Sequence, residues 1–244
     1  MPIENREWDS RFFGYPVASA SFGPALPRLP DILAARDEAR QAAVRLLYLF
    51  LPPVDAALRS SIEQAGFLPV GQKVEYARKV GMPPPMEPGP DIALCRESSA
   101  PLEQLALESG SHSRFRLDPG FRNREFERLY GEWLASSLRG DQGKQVFVAG
   151  SAARPLGLVT LEPGPSAARI GLLAVDASQR GRGLGRRLVA EAERFCVRNR
   201  IAELQVATQS ANRGACRFYE TCGFGKSSET DVFHAWLMPS QAGP

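Results

Sequence analysis

Apolar positions along this chain alternate between two periods, and the two mark its elements. Ile170 to Val175 is an apolar run that predicts a buried strand, and Leu184, Leu188 and Ala192 recur at helical spacing after it. Earlier, Val17–Phe22 has strand character, and Asp31–Val44 is amphipathic, with Pro30 suited to a helix start. Leu46–Leu51 predicts a buried strand, Val54–Gln64 a helix stopped by Gly66, and Val70–Val80 another strand. Beyond residue 90 the pattern predicts a strand at Ile92–Cys95, a helix at Pro101–Ser109 and a polar loop over Ser111–Gly120. A long helix follows at Phe121–Leu138, with Phe126, Leu129, Trp133 and Leu134 on one side, then strands at Val146–Ala149 and Leu156–Leu161. The helix from Leu184 runs to about Asn199. Strand Leu204–Thr208, helix Asn212–Cys222 and strand Val232–Leu237 complete the series.

Between the strand ending at Val175 and the helix starting near Leu184, Gly181, Gly183 and Gly185 stand among Arg180, Arg182, Arg186 and Arg187. Glycines ahead of a helix let the chain turn tightly and present bare N–H groups at the positive end of the helix dipole. Arginines add bidentate phosphate contacts, so the stretch is suited to a pyrophosphate. A Gly-rich connection between strand and helix is the plainer alternative. The loop ends Gly185-Arg-Arg and is not a Walker loop, and its glycine spacing is not that of a dinucleotide loop.

The two ends of the chain echo each other. Arg45–Phe67 lies on Ala202–Phe224 at a constant offset of 157 positions, without a gap. Leu47–Leu51 falls on Leu204–Thr208, Asp55 on Asn212, Ala65-Gly-Phe67 on Cys222-Gly-Phe224, and Ile32–Ala43 on Val189–Arg200. We read an internal repeat of half a fold, although strand–helix–strand units also look alike by chance. The first copy has Gly23-Pro-Ala-Leu-Pro-Arg28 in place of the glycine loop and Ile62 in place of Tyr219. Two prolines remove backbone donors, so this copy is expected to hold no cofactor. The Pro- and Gly-rich stretch 81–90 reads as a stiff linker. The expected domains are therefore 1–80, a smaller N-terminal α/β domain, and 91–239.

Composition changes this picture little. The chain has 244 residues, 43% hydrophobic and 23% charged, enough for a real core. Its net charge of +3 is too mild to argue for nucleic acid. It shows neither an apolar run of membrane-span length nor a signal-peptide core, so a cytoplasmic location is expected. Four cysteines without a Cys-x-x-Cys pair, and two histidines, argue against a metal site.

Arg180-Gly-Arg-Gly183-Leu-Gly185, preceded by Ala174-Val-Asp176, resembles the acyl-CoA loop of the GNAT acetyltransferase superfamily, Gln/Arg-x-x-Gly-x-Gly/Ala. Asn212-Arg-Gly-Ala-Cys-Arg-Phe-Tyr219 with Gly223-Phe224 resembles that superfamily's second motif, in the right order. The resemblance implies a GNAT fold, an α/β architecture of a mixed, mainly antiparallel sheet with helices on both faces, preceded here by a degenerate GNAT-like domain. It implies acetyl-CoA as co-substrate and no metal. The pyrophosphate would lie on the N–H groups of Arg180, Gly181, Arg182, Gly183, Leu184, Gly185 and Arg186. The pantetheine would bond the strand edge Leu173-Ala174-Val175 and contact Asn212. Tyr219, seven residues past Asn212, would protonate the departing CoA thiolate. Asn212 also suits a plain helix cap, and Tyr219 a packed core position.

Ser111-His-Ser-Arg-Phe115, Arg139-Gly140, Arg169–Ala174, Val206–Gln209 and the front end Trp8-x-x-x-Phe12-Phe-Gly14 are similar to the TDP-fucosamine acetyltransferases of bacterial surface-polysaccharide synthesis. That similarity implies N-acetylation of a nucleotide-linked TDP-4-amino-4,6-dideoxyhexose, and a homodimer. His112, Arg114 and Arg116 are then placed on the acceptor side, because a nucleotide diphosphate needs cations. A solvated basic loop is the alternative. The residues single out no general base, with Glu203, Glu162 and His112 all open. Two other functions stay in view: a GNAT enzyme acting on a protein N-terminus or small amine, and a non-catalytic CoA-binding module.

Overall fold

The structure, a computed structural model, describes residues 3–23, 25–81 and 88–237. The front part runs β1 Glu4–Asn5, α1 Glu7–Phe13, β2 Val17–Ser21, α2 Leu29–Gln41, β3 Leu46–Leu51, α3 Ala56–Gln64 and β4 Leu68–Lys79. After the proline-rich stretch come β5 Ile92–Cys95, α4 Ala100–Ser109, α5 Arg114–Leu117 and α6 Glu125–Arg139. The chain then passes through β6 Gln145–Ser151, β7 Arg154–Pro163, β8 Ala167–Val175 and α7 Leu184–Arg198. It closes with β9 Glu203–Gln209, α8 Arg213–Thr221 and β10 Gly225–Trp236. Among the described residues no helix is long and apolar enough to cross a membrane. Of the expected linker 81–90, residues 82–87 lie outside the described residues, as do 238 and 239 of the expected second domain.

Three expectations are corrected. The polar loop 111–120 contains the short helix α5. The long helix starts at Glu125 rather than Phe121, because Arg124 takes a left-handed conformation (φ +56°) and the Glu125 carboxylate accepts the Asn123 N–H at 2.6 Å. The last strand starts at Gly225 rather than Val232; its first half, Lys226 to Asp231, is polar on both faces and masks the period-2 signal.

The contacts divide the chain into two compact units. One takes residues from 1–73, 117–122 and 229–244, and the other from 74–116 and 123–228. The boundary thus falls inside β4 and β10, where the sequence had placed it at the proline-rich stretch. In the first unit β1, β2, β3 and β10 lie side by side. β2 runs parallel to β3 from Val17↔Leu46 to Ser21↔Phe50, and β10 antiparallel from Asp231↔Leu51 to Trp236↔Leu46. Helices α2 and α3 bury Ile32, Ala35, Ala39 and Ile62 against Leu47, Leu49, Leu51, Phe233 and Ala235. Asp231, almost fully buried, accepts from the Val54 N–H (2.9 Å) and the Gln72 amide (3.1 Å) and pairs with Arg59 at 3.0 Å. Asp118 is equally buried and takes the His234 ring at 2.6 Å, the Trp236 indole N–H and the Gly120 N–H. Burial would raise this carboxyl, but those hydrogen bonds and the His234 charge outweigh it and hold Asp118 below the usual carboxylate range.

In the second unit the order is β4, β9, β8, β7, β6, β5. β5 to β8 form an antiparallel ladder, and β8 runs parallel to β9. The apolar face of α7 closes the core: Leu184, Leu188, Ala192 and Phe195 pack among Val74, Tyr76, Val159, Leu204 and Phe224.

The repeat holds in detail. At the offset of 157, α3 coincides with α8 and β4 with β10, end to end. Asp55 caps α3 through the Leu58 N–H (2.8 Å), and Asn212 caps α8 through the Ala215 N–H (3.1 Å). Ala43 and Arg200 share a left-handed turn (φ +53° and +57°), as do Gly66 and Gly223 (φ +90° and +81°). The final strands are exchanged in the same register. The Val80 N–H reaches the Ala202 carbonyl, and the Leu237 N–H the Arg45 carbonyl, each at 2.8 Å. Each unit is thereby finished by a strand from the other end of the chain.

Candidate functional site

The two copies differ where β8 meets β9. In the first unit β2 stays paired with β3 along its whole length. In the second, pairing runs only from Ala167↔Glu203 to Ile170↔Val206, while β8 continues to Val175 on the β7 side alone. The strands part there, and the carboxyl end of β8 has a free edge facing away from β7. A cleft of about 760 Å³ opens at this place, entirely within the second unit.

Its floor is built from the strand end and the glycine loop. Leu173, Ala174, Val175, Arg180, Gly181, Gly183, Leu184, Gly185 and Arg186 line it, and Arg182 is exposed and does not. Asp176 shapes the turn, its carboxylate accepting the Ser178 N–H at 2.9 Å. The hydroxyl of Ser178, the N–H it accepts and the charge of Arg180 together hold that carboxyl low, burial notwithstanding. Gly181 (φ +76°) and Gly183 (φ +78°) take left-handed conformations that disfavour a side chain. Gly185 solves a different problem: a Cβ there would meet the Phe218 ring at 3.0 Å, so its absence lets the start of α7 approach α8. No side chain caps α7, and its first turn holds no acidic residue. Those N–H groups and Arg186 suit a diphosphate, and the parted strands suit an extended amide-bearing arm. Gly183→Ala would force a β-carbon into left-handed backbone at a cost of ~1–2 kcal/mol. We expect a ~5- to 30-fold weaker calorimetric Kd for acetyl-CoA, with the fold retained.

The wall opposite comes from α8 and from the end of α4. Asn212 both caps α8 and lines the cleft, so its two readings coexist. Tyr219 lines it too, with its ring packed between Tyr76, Phe218 and Phe224 at centroid distances of 6.0, 5.3 and 5.7 Å. Burial, with the neighbouring Cys222 and Cys216 adding to it, pushes the phenol well above its ordinary range. Tyr219 is therefore a neutral phenol at neutral pH. Beside it the Tyr76 hydroxyl donates to Glu220 at 3.0 Å.

Of the residues expected on the acceptor side, His112 lines the cleft, and its Nδ1 lies 3.1 Å from the Ser111 hydroxyl. Arg114 and Arg116 stand on α5, over the rings of Phe115 and Phe126, and are not among the lining residues. Glu162 pairs with Lys144 at 3.5 Å and Glu203 accepts from Gln205 at 2.6 Å; neither lines the cleft. Sequence reasoning missed Glu108 at the end of α4. Its carboxylate meets the Arg180 guanidinium at 3.2 Å, while the Arg180 Nε holds the Val175 carbonyl at 3.0 Å. A glutamate on a polar helix face carries no signal of such a role.

Comparison with known proteins adds three findings. The model of the acetyltransferase (GNAT) family matches residues 107–224, which contain the whole lining of the cleft. A dTDP-fucosamine acetyltransferase of Escherichia coli O6:H1 is 31% identical over 227 residues, covering 91% of this chain and 92% of the relative. Two solved structures share the fold. A GCN5-related N-acetyltransferase from Sphaerobacter thermophilus has a TM-score of 0.58 at 17% identity, covering 95% of this chain and 74% of that one. A tandem GNAT protein from the clavulanic acid biosynthesis pathway has a TM-score of 0.56 at 16% identity, covering 93% and 77%.

Proposed function

Because the chain belongs to the GNAT acetyltransferase family, we propose that its acceptor is the amino group of a nucleotide-linked sugar, a TDP-4-amino-4,6-dideoxyhexose. The single observation that carries the acceptor is similarity along nearly the whole chain, front unit included, to a relative named for dTDP-fucosamine acetylation. The cleft supports the chemistry. Its glycine loop and uncapped helix would hold the diphosphate of acetyl-CoA, and the free edge of β8 would bond the amides of the arm. The amine attacks the thioester carbonyl, and the resulting tetrahedral species collapses with cleavage of the C–S bond. Tyr219, held neutral by its burial, gives its proton to the sulfur as it leaves. His112 lines the cleft and would face the acceptor, and Arg114 and Arg116, on the same segment, would serve as cations for the nucleotide diphosphate.

The test is release of CoA thiol from acetyl-CoA with TDP-4-amino-4,6-dideoxygalactose, run beside peptides and polyamines. Saturable release with the sugar nucleotide alone is the expected result. Release with a peptide or polyamine, and none with the sugar nucleotide, overturns the acceptor and leaves the family untouched. No release with any amine would favour a CoA-binding module.

A further inference from the structure

Acetyl transfer to an amine moves two protons. One goes to the departing sulfur; the other must leave the nitrogen that attacks, because that nitrogen becomes cationic as its lone pair forms the new N–C bond. Among the described residues that line the cleft, two have side chains able to accept that second proton, Glu108 and His112. Glu108 is engaged: its carboxylate is neutralised by Arg180 beside the glycine loop. We infer that His112 is the general base, oriented by Ser111. This rests on the acyl-transfer reading of the cleft above.

The local geometry favours it. His112 Nδ1 lies 3.1 Å from the Ser111 hydroxyl; with Nδ1–H taken as the donor of that contact, the imidazole keeps its lone pair on Nε2. His112 lies just beyond the carboxyl end of α4, a ten-residue helix that ends at Ser109 with Gly110 as its cap. The charged and titratable groups around it are Glu108 on α4, Arg180 and Arg186 on the glycine loop and α7, Tyr219 on α8, and Arg114 two residues on, which stacks over Phe115. The N–C bond forms as the amine proton passes to His112 Nε2. The C–S bond then breaks, with the Tyr219 proton passing to sulfur. The imidazolium and the phenolate are left, and proton exchange through solvent restores both.

The test compares wild type with His112→Gln and His112→Ala, using whichever amine the wild type acetylates. We expect kcat/KM to fall ~10²- to 10⁴-fold in both, the usual range for a lost general base. The acid limb of the wild-type pH profile should vanish in His112→Gln, and added imidazole should restore turnover to His112→Ala. Acetyl-CoA affinity should stay within about twofold. Wild-type-like kcat/KM in His112→Gln overturns the inference. So does a loss of activity that keeps the acid limb and resists imidazole, since that describes a packing or binding role. If the sugar nucleotide is no substrate, the assay of the preceding subsection shows it in the wild type, before any variant is made.

Discussion

Replacing Tyr219 by Phe is expected to lower turnover by ~10²- to 10⁴-fold and to leave acetyl-CoA affinity unchanged. The substitution removes one oxygen from a ring that is 5% exposed and keeps every ring contact with Tyr76, Phe218 and Phe224. What goes, on the proposed mechanism, is the proton donor. Burial holds the phenol above its ordinary range near ~10, so the wild-type hydroxyl stays protonated across the neutral and mildly alkaline region. The deficit should accordingly be constant between about pH 6 and pH 9, unlike a defect that tracks a titration in that window. Steady-state CoA release and calorimetric binding measure the two quantities separately. Turnover equal to wild type would assign the sulfur's proton to another donor; a matching loss of CoA affinity would make Tyr219 a binding residue.

A chain cut at residue 91 is expected not to fold, although the fragment would keep the whole glycine loop and Tyr219. Its unit would lose β4, whose Val74 and Tyr76 are buried among Ile170, Val206 and Phe224. Each such side chain is worth ~1.5–3 kcal/mol. Arg78 would go as well, and Glu193, 2% exposed, would lose the guanidinium that meets it at 2.9 Å. Already raised by burial, that carboxyl would lose its paired guanidinium, at ~3–5 kcal/mol. The combined loss is comparable to the ~5–15 kcal/mol that stabilises a whole domain. Circular dichroism of the 91–244 fragment should show no cooperative melt, and co-expression with residues 1–90 should restore one. A soluble 91–244 fragment with a sharp transition would refute the argument.

The fold was readable where side chains obey one period. The apolar face of α7 and the runs of β3 and β8 signal themselves, and the offset repeat exposes the kinship of the two halves. Period, however, says which face of a strand is buried and is silent on which strand lies beside it. Nothing in Asp231 or Glu75 announces that they anchor polar strands, the one by collecting Val54, Gln72 and Arg59, the other through the Ser228 hydroxyl. Helix α1 is too short for its period to signal itself; Trp8 and Phe12 stack at 5.0 Å, one helical turn apart. At the candidate site, backbone chemistry was legible because glycine spacing is written in the residues themselves. The Glu108–Arg180 pair was not, since its members are 72 positions apart.

The unbroken pairing of β2 with β3 has a bearing on heredity as well. The copy whose strands stay paired lends β4 to the unit that opens. Inherited changes that loosen β4 would then act on how much protein survives in the cell, and changes around residues 173–186 on how fast each surviving molecule turns over.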